Sequence, residues 1–390
     1  MDEFVLYAVL RHPAVAAAYF DWRASVEEIT PARSLPDPQF VFQADVADTL
    51  MSFMPGLMAD LMGPGKRAAM TREATSGAEV ARRAYVASVL RTAAEARKAW
   101  VELAYVEEVD RLYATTIHTA EEALNLANAG YATGSGMATL EKQVQLENVI
   151  AEHHAHHAGI ADRRVAARAR FKSALGLTPD DPDPAWPRPT LTITPVPSAE
   201  ELWRRASAAN ADLAKMRAMV EMAVASVEVA RKASAPNFTV GAMAELKADP
   251  TFIRPLATIS LPIWRDKISA TIAAAEARRD AAVSRANAEQ LGLAAELAQT
   301  LYMIRDADRM LGYIDETALP NFARTYATLE ASVQSGTTSP AMISETRLME
   351  IDLRHERLEL LRQRETAAVD LSLLVADVAP SNSPLPRESP

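Results

Sequence analysis

The hydrophobic pattern is mostly helical, with short strands set into it. From Arg265 to about Val333 the larger apolar residues fall at Leu297, Leu301, Ile304, Leu311, Ile314, Phe322, Tyr326, Leu329 and Val333. These spacings place one apolar stripe along one side of a helix. An unbroken helix of that extent would run roughly 100 Å at 1.5 Å per residue, about three times a ~30 Å bilayer core. Such a length suits a coiled coil, a spacer or a tube wall. Helical patterns also cover Phe4 to about Arg33, Lys66 to about Ala129, the stretch after Gly136 to about Leu175, about Ala199 to Ala233, and the stretch after Pro340 to about Val378.

Between the helices the period changes to two. Gln39 to Val46 sets Phe40, Phe42, Ala44 and Val46 against Gln39, Val41, Gln43 and Asp45, which predicts a strand with one apolar side. The Met-rich run Met51, Met54, Met58 and Met62 predicts a turn and a weaker strand, about 56–63. Asn237 to Leu246 carries Phe238, Val240, Ala242, Ala244 and Leu246 on one face, and about 256–264 carries Ala257, Ile259, Leu261 and Ile263.

The plan repeats. Pro236 minus Pro38 is 198, as are Phe238 minus Phe40 and Pro262 minus Pro64, while Gly336 minus Gly134 is 202. The chain therefore divides into a first repeat at 1–177, a proline-rich linker at 178–198, a second repeat at 199–378 and a disordered tail at 379–390. Each repeat reads helix–strand–strand–long helix–break–helix. Two strands make a marginal hairpin, and four strands in one chain cannot close a cylinder. Several copies can, and strands of about 9–11 residues suit a membrane barrel.

Composition narrows the function. Acidic residues outnumber basic ones by 51 − 41 = 10, which argues against a general nucleic-acid binder. The chain has no cysteine, hence no disulfide or thiolate site. No apolar run is long enough for a membrane-spanning helix. Met1-Asp2-Glu3-Phe4 lacks the pattern of a secretory signal, which fits a protein kept inside the cell or one whose leader has been removed. Catalysis finds no support: Gly134-Ser135-Gly136 lacks the Lys-Ser/Thr of a phosphate loop, and no nucleophile set is present.

His12-Pro13 near a helix start, Leu35-Pro36-Asp37-Pro38 before a strand, Pro64-Gly65-Lys66 opening a helix and Tyr131-x-x-Gly134 at a break are similar to the outer-membrane efflux protein (TolC-like) family. Ala235-Pro236-Asn237-Phe238, Leu261-Pro262-Ile263, Leu319-Pro320 and Ser335-Gly336 repeat the resemblance, which leans toward the heavy-metal branch. It implies a mainly α fold with short β. The duplicated unit would form a homotrimeric α-barrel continued by a transmembrane barrel of twelve strands, four per chain. It also implies an outer-membrane location with a periplasmic extension. The function implied is a passive duct for drugs, metal ions or other small molecules, with a periplasmic adaptor protein, an inner-membrane pump of the RND type and outer-membrane lipid as partners, and no cofactor. The periplasmic tip and adaptor contact would fall on Tyr131, Gly134, Ser135, Gly136 and Met137, and on Gly336, Thr337, Thr338 and Ser339. Glu345 is the candidate gate.

Several residues admit a second reading. His153, His156 and His157 share a helix face at metal-ligand spacing, or form a solvated polar face. The methionines suit a soft metal, but packing or lipid-facing roles are favoured. Pro320 predicts a kink or a helix boundary. Glu345 also suits the first turn of a helix as a dipole partner. Two other protein classes fit the pattern: a soluble long-helix scaffold, or a His-rich metal-binding protein.

Overall fold

A computed structural model describes residues 1–46, 50–132, 140–186, 191–246, 252–339 and 341–376. The first repeat contains α1 (Asp2–Arg11), α2 (Pro13–Glu27), α3 (Ile29–Arg33), β1 (Gln39–Val46), β2 (Leu50–Leu61), α4 (Lys66–Ala132) and α5 (Leu140–Ala174). The second contains α6 (Ala199–Ala209), α7 (Ala211–Lys232), β3 (Asn237–Glu245), β4 (Phe252–Ser260), α8 (Arg265–Tyr313), a π-helical turn (Ile314–Ala318), α9 (Leu319–Gln334) and α10 (Ala341–Leu374).

The first helix of each repeat is broken where the pattern predicts continuity. Pro13 excludes its predecessor from the helical region, and His12 is extended at φ −67°, ψ 126°. In the second repeat the break falls at Asn210, 210 − 12 = 198 residues on. There the Asn210 side chain accepts from the Leu213 N–H at 2.8 Å and caps α7. The strands also differ from expectation. The Met-rich run is strand from Leu50 to Leu61, with Met62 just beyond it, and β4 starts and ends earlier than the alternation suggests. Pro320 neither ends nor breaks its helix sharply. The preceding turn widens to a π-turn in which the Leu319 N–H bonds Ile314 O, absorbing the donor that Pro320 lacks.

Two compact units are present, and each draws on both repeats. One comprises residues 16–88 and 209–292. It holds an antiparallel sheet in the order β1-β2-β3-β4, so β2 and β3 form the seam between the repeats. At that seam Gly56 stands opposite Met243, and Gly241 opposite Met58. A Cβ on Gly56 would lie 2.5 Å from Met243 Cγ, and one on Gly241 would lie 2.6 Å from the Leu57 carbonyl oxygen. Each glycine leaves the space its partner methionine fills. Below the seam, Asn237 Oδ1 accepts from the Gly63 N–H at 3.1 Å and from Lys66 Nζ at 2.9 Å. Nearby helices pack Val227 and Ala230 against Ala275, with Arg72–Glu228 and Arg231–Glu276 pairs outside them.

The other unit comprises residues 1–15, 89–208 and 293–390. Its core packs Ala8, Ala96, Ala99, Leu103, Val106, Phe171 and Leu175, with Phe4, Trp100 and Trp186 around Phe171. The proline-rich segment is strapped down rather than free. Lys172 Nζ donates to Pro179 O at 3.1 Å and Asp181 O at 2.6 Å, and Leu191 packs on the core. Further along, the Thr194 N–H and hydroxyl donate to the Glu365 carboxylate at 3.1 and 2.7 Å. Glu365 also pairs with buried Arg364, which reaches Asp308 at 2.7 Å.

These arrangements predict two outcomes. Gly241→Val should destabilise the protein by about 1–3 kcal/mol through overpacking at the seam. Gly292→Ala, where a Cβ meets nothing within 4 Å, should stabilise helix α8 by about 0.5–1 kcal/mol. Thermal unfolding of both variants checks the pair, and equal effects would remove the seam's special role. Secondly, Glu365→Ala leaves Arg364 partly uncompensated in the interior and frees the strap. It should cost about 3 kcal/mol in urea unfolding, with Glu365→Gln intermediate because the amide oxygen still accepts from Thr194.

Candidate functional site: the two faces of the sheet and the helix ends

The register sorts the sheet into two faces. Paired residues of antiparallel strands share a face. Phe40 pairs with Leu57, Leu57 with Ala242 and Ala242 with Pro255; Phe42 pairs with Pro55, and Ala59 with Val240. Phe238 pairs with Leu61 and Ile259, and Ala244 with Ile253. Every one of these residues is apolar. The opposite face carries Gln39, Gln43, Asp60, Asn237, Thr239, Glu245, Arg254, Thr258 and Ser260, with Val41, Met54, Met58, Met243, Phe252 and Leu256 among them. The sequence placed the apolar alternations correctly. It offered lipid-facing or packing roles for the methionines; of that run, Met54 and Met58 lie on the polar face, Met54 buried there.

Exposure makes the apolar face unusual. Phe42 is 62% exposed and Ile253 75% exposed, and all of β4 is exposed. An apolar surface this continuous marks a region that something covers. The polar face is tied together: Thr239 Oγ1 donates to Asp60 Oδ1 at 2.5 Å, and Arg254 pairs with buried Glu245. β1 and β4 each pair on one side only, leaving two open edges. Beyond β4, Leu261, Ile263 and Trp264 are exposed ahead of α8, a placement suited to a membrane–water boundary. Among the described residues no helix is long and apolar enough to cross a membrane.

The helix ends are less complete. Tyr131 lies exposed in the last turn of α4, while Gly134, Ser135, Gly136 and Met137 fall outside the described residues. After α9, Gly336 takes φ 73°. There the Thr337 N–H bonds Ser332 O at 3.0 Å, and the Gly336 N–H bonds Val333 O at 3.0 Å. That bonding closes the helix on a left-handed residue, for which glycine carries no Cβ penalty. Thr337 Oγ1 also donates to Ser332 O; Thr338 and Ser339 continue the turn toward α10. Glu345 is half-buried near the start of α10. Sequence reading missed the tie between α9 and α10, where Tyr326 Oη donates to Glu350 at 2.7 Å. Burial and that carboxylate push the Tyr326 phenol up.

The histidines do not act as one face. His157 turns to Asp110 at 3.3 Å and His156 pairs with Glu152 at 3.6 Å. His153 and His156 lie against Tyr113, which His355 also meets. Among the described residues no three His, Asp or Glu side chains stand together as a ready metal-ligand set.

The two-faced sheet yields a direct test. Val240→Arg places a cation on the apolar face and should cost about 2–4 kcal/mol in a lipid or detergent-folded state. Thr258→Arg, on the polar face, should be tolerated. Folding yield in lipid bilayers checks the contrast, and equal loss for both variants would show that the faces do not differ in environment.

Residues 202–377 match the family model described as Outer membrane efflux protein. No curated relative matches the sequence. Among solved structures, the outer membrane protein VceC from Vibrio cholerae superposes with a TM-score of 0.79 at 18% identity, covering 96% of this chain and 96% of its own. The outer-membrane channel OprN gives 0.81 at 15% identity over 96% and 89% of the two chains. CusC gives 0.79 at 14% identity over 97% and 92%. At these identities the superpositions establish the fold alone, which this chain shares with those outer-membrane proteins. Residues 202–377 thus match an outer membrane efflux protein domain, within a fold that this chain shares with these channels over 96–97% of its length.

Proposed function

We propose that this efflux channel component works as a homotrimer and as a passive duct across the outer membrane. The observation that carries the reading is the sheet with one apolar face and two open edges. Edge N–H and C=O groups left unpaired in lipid cost several kcal/mol each, so a membrane sheet must close on itself. Four strands cannot do so. Three copies supply twelve strands, an even number with edge β1 of one copy pairing edge β4 of the next. The apolar face then meets lipid, and the polar face with Asp60, Thr239, Glu245 and Arg254 lines the lumen.

In this reading the energy for export comes from outside the duct. An inner-membrane pump of the RND type and a periplasmic adaptor would supply it. The adaptor would meet the helix ends at Tyr131, at Gly134, Ser135, Gly136 and Met137, and at Gly336, Thr337, Thr338 and Ser339. Glu345, repeated three times about one axis, would form a ring of carboxylates that favours cations. Drugs, metal ions and other small molecules are the cargo this lumen admits. The domain match and the fold support the reading, as does the offset of 198 residues at the strands, which builds similar strand pairs from both halves of the chain.

Native mass spectrometry of the detergent-extracted protein is the decisive measurement. It should give a trimer that persists when detergent is exchanged. A stable monomer with intact strands would overturn the closure of the barrel and with it the duct.

A further inference from the structure

Between β4 and α8 the chain carries a group of side chains that closure of the strands does not use. Ile253, Pro255, Ala257 and Ile259 lie on the apolar face of β4, and Leu261 and Ile263 follow at the same two-residue step. Trp264, next in the chain, is 73% exposed. Polarity then changes abruptly: Arg265, Asp266 and Lys267 open α8 and are all exposed. Together Ile263, Trp264, Arg265, Asp266 and Lys267 line a cavity of about 460 Å³.

Charge sets this cavity apart from the cations around it. Arg254 pairs with Glu245, Arg72 with Glu228 and Arg231 with Glu276. The charged ends of Arg265 and Lys267 have no carboxylate partner among the described residues, and Asp266 has no cation. The lining therefore keeps two cations against one acid, an excess of one positive charge. The first repeat shows the same plan in reduced form. Arg67 is exposed at the equivalent place, since 265 − 67 is 198. Lys66, which stands where Trp264 does, is instead held by Asn237 at 2.9 Å. The combination of a tryptophan with two cations belongs to the second repeat.

We propose that this cavity holds the headgroup of an anionic glycerophospholipid, so that the protein selects among the lipids around it. The proposal rests on the reading of the sheet's apolar face as the one that meets lipid. An exposed tryptophan beside apolar side chains suits the boundary between acyl chains and headgroups, where one end of the ring is dry and the other wet. The two cations suit the phosphate. A guanidinium can bond two phosphate oxygens at once, and an ammonium adds a mobile point charge. Their long stems lie along apolar surface while the charged ends reach the headgroup. The excess of one positive charge matches a phosphodiester with a neutral alcohol. A zwitterionic headgroup brings its own cation to Arg265 and Lys267 and gains less.

Native mass spectrometry of the full chain, released from nanodiscs of equal parts phosphatidylglycerol and phosphatidylcholine, tests the site. Wild-type trimers should retain phosphatidylglycerol in preference. Arg265→Gln with Lys267→Gln should cut that preference by about fivefold for each cation removed, while Arg265→Lys keeps most of it. Trp264→Ala should lower retention of both lipids and leave their ratio unchanged. Arg278→Gln with Arg285→Gln removes the same charge from exposed positions farther along α8 and should have no effect. Equal retention of the two lipids by wild type overturns the proposal, as does an equal loss in the variant of Arg278 and Arg285. Displacement of the retained phosphatidylglycerol by added inorganic phosphate also overturns it, by marking a site for free phosphate. Trimers that enter nanodiscs without lipid preference defeat the headgroup site alone. A chain that stays monomeric outside the bilayer defeats the duct as well.

Discussion

The backbone's own hydrogen bonds are the constraint on which the structure depends. Each strand residue carries a donor and an acceptor that must be paired wherever water is excluded. Within the chain, β2 and β3 satisfy both of their sides, while β1 and β4 satisfy one each. An exposed strand edge in a soluble protein is usually blunted by charge, proline or a bulge. Here β4 contains Pro255 and Arg254, yet it pairs β3 along its whole length and is followed by Leu-Pro-Ile-Trp. The remaining open side, flanked by an apolar face, is better suited to receiving another strand than to meeting water.

The seam between the repeats shows how one chain prepares its share of such a cylinder. Met58 lies over Gly241 and Met243 over Gly56, so the two strands that join the repeats interlock on the polar face. Methionine fits because its unbranched side chain follows an irregular surface, and glycine fits because no Cβ contests the space. Asn237 adds a polar lock at the base, accepting from both the Gly63 N–H and Lys66. Order set within the chain in this way reduces the entropy left to lose on assembly. The helices rely on a different economy. Buried alanines are numerous, as at Ala96, Ala99, Ala104, Ala120 and Ala123, and small residues let helix backbones approach closely.

Much of this was legible in the chain because two periods, 3.6 and 2, are kept faithfully. The alternation at Phe40, Phe42 and Ala44, and at Phe238, Val240 and Ala242, placed the apolar face before any coordinates. Boundaries were less legible where a local rule opposes the pattern. The extended His12 before Pro13 and the Asn210 cap interrupt otherwise helical stretches. The Met-rich run hid a full strand because methionine carries little β preference of its own. At Pro320 the pattern signalled a disturbance but not its form, since a π-turn, a kink and a boundary all accommodate a missing donor. The histidine-rich run misled in the opposite direction. Spacing along one helix suggested three partners, whereas tertiary packing divided them and brought His355 from 202 residues away. The repeat offset was the one signal in the sequence that could have paired His153 with His355.

The same offset explains why the two repeats diverge in chemistry while agreeing in form. Strand register and helix breaks sit at 198, whereas the distal turns and the histidine pair sit at 202. The four extra residues therefore lie within the long-helix stretch of the second repeat, which also contains the π-turn. A π-turn holds one residue more than the α-turn it replaces and so shifts the helix face beyond it. Four residues make about one turn of α-helix, some 6 Å of length, with a small remainder in rotation for such a turn to absorb. The wide turn sits just ahead of Pro320, in the helical stretch that carries the extra residues. The lengthening thus falls in a helix, which can take up an irregularity, rather than in the strands, where a one-residue slip would turn the apolar face inward.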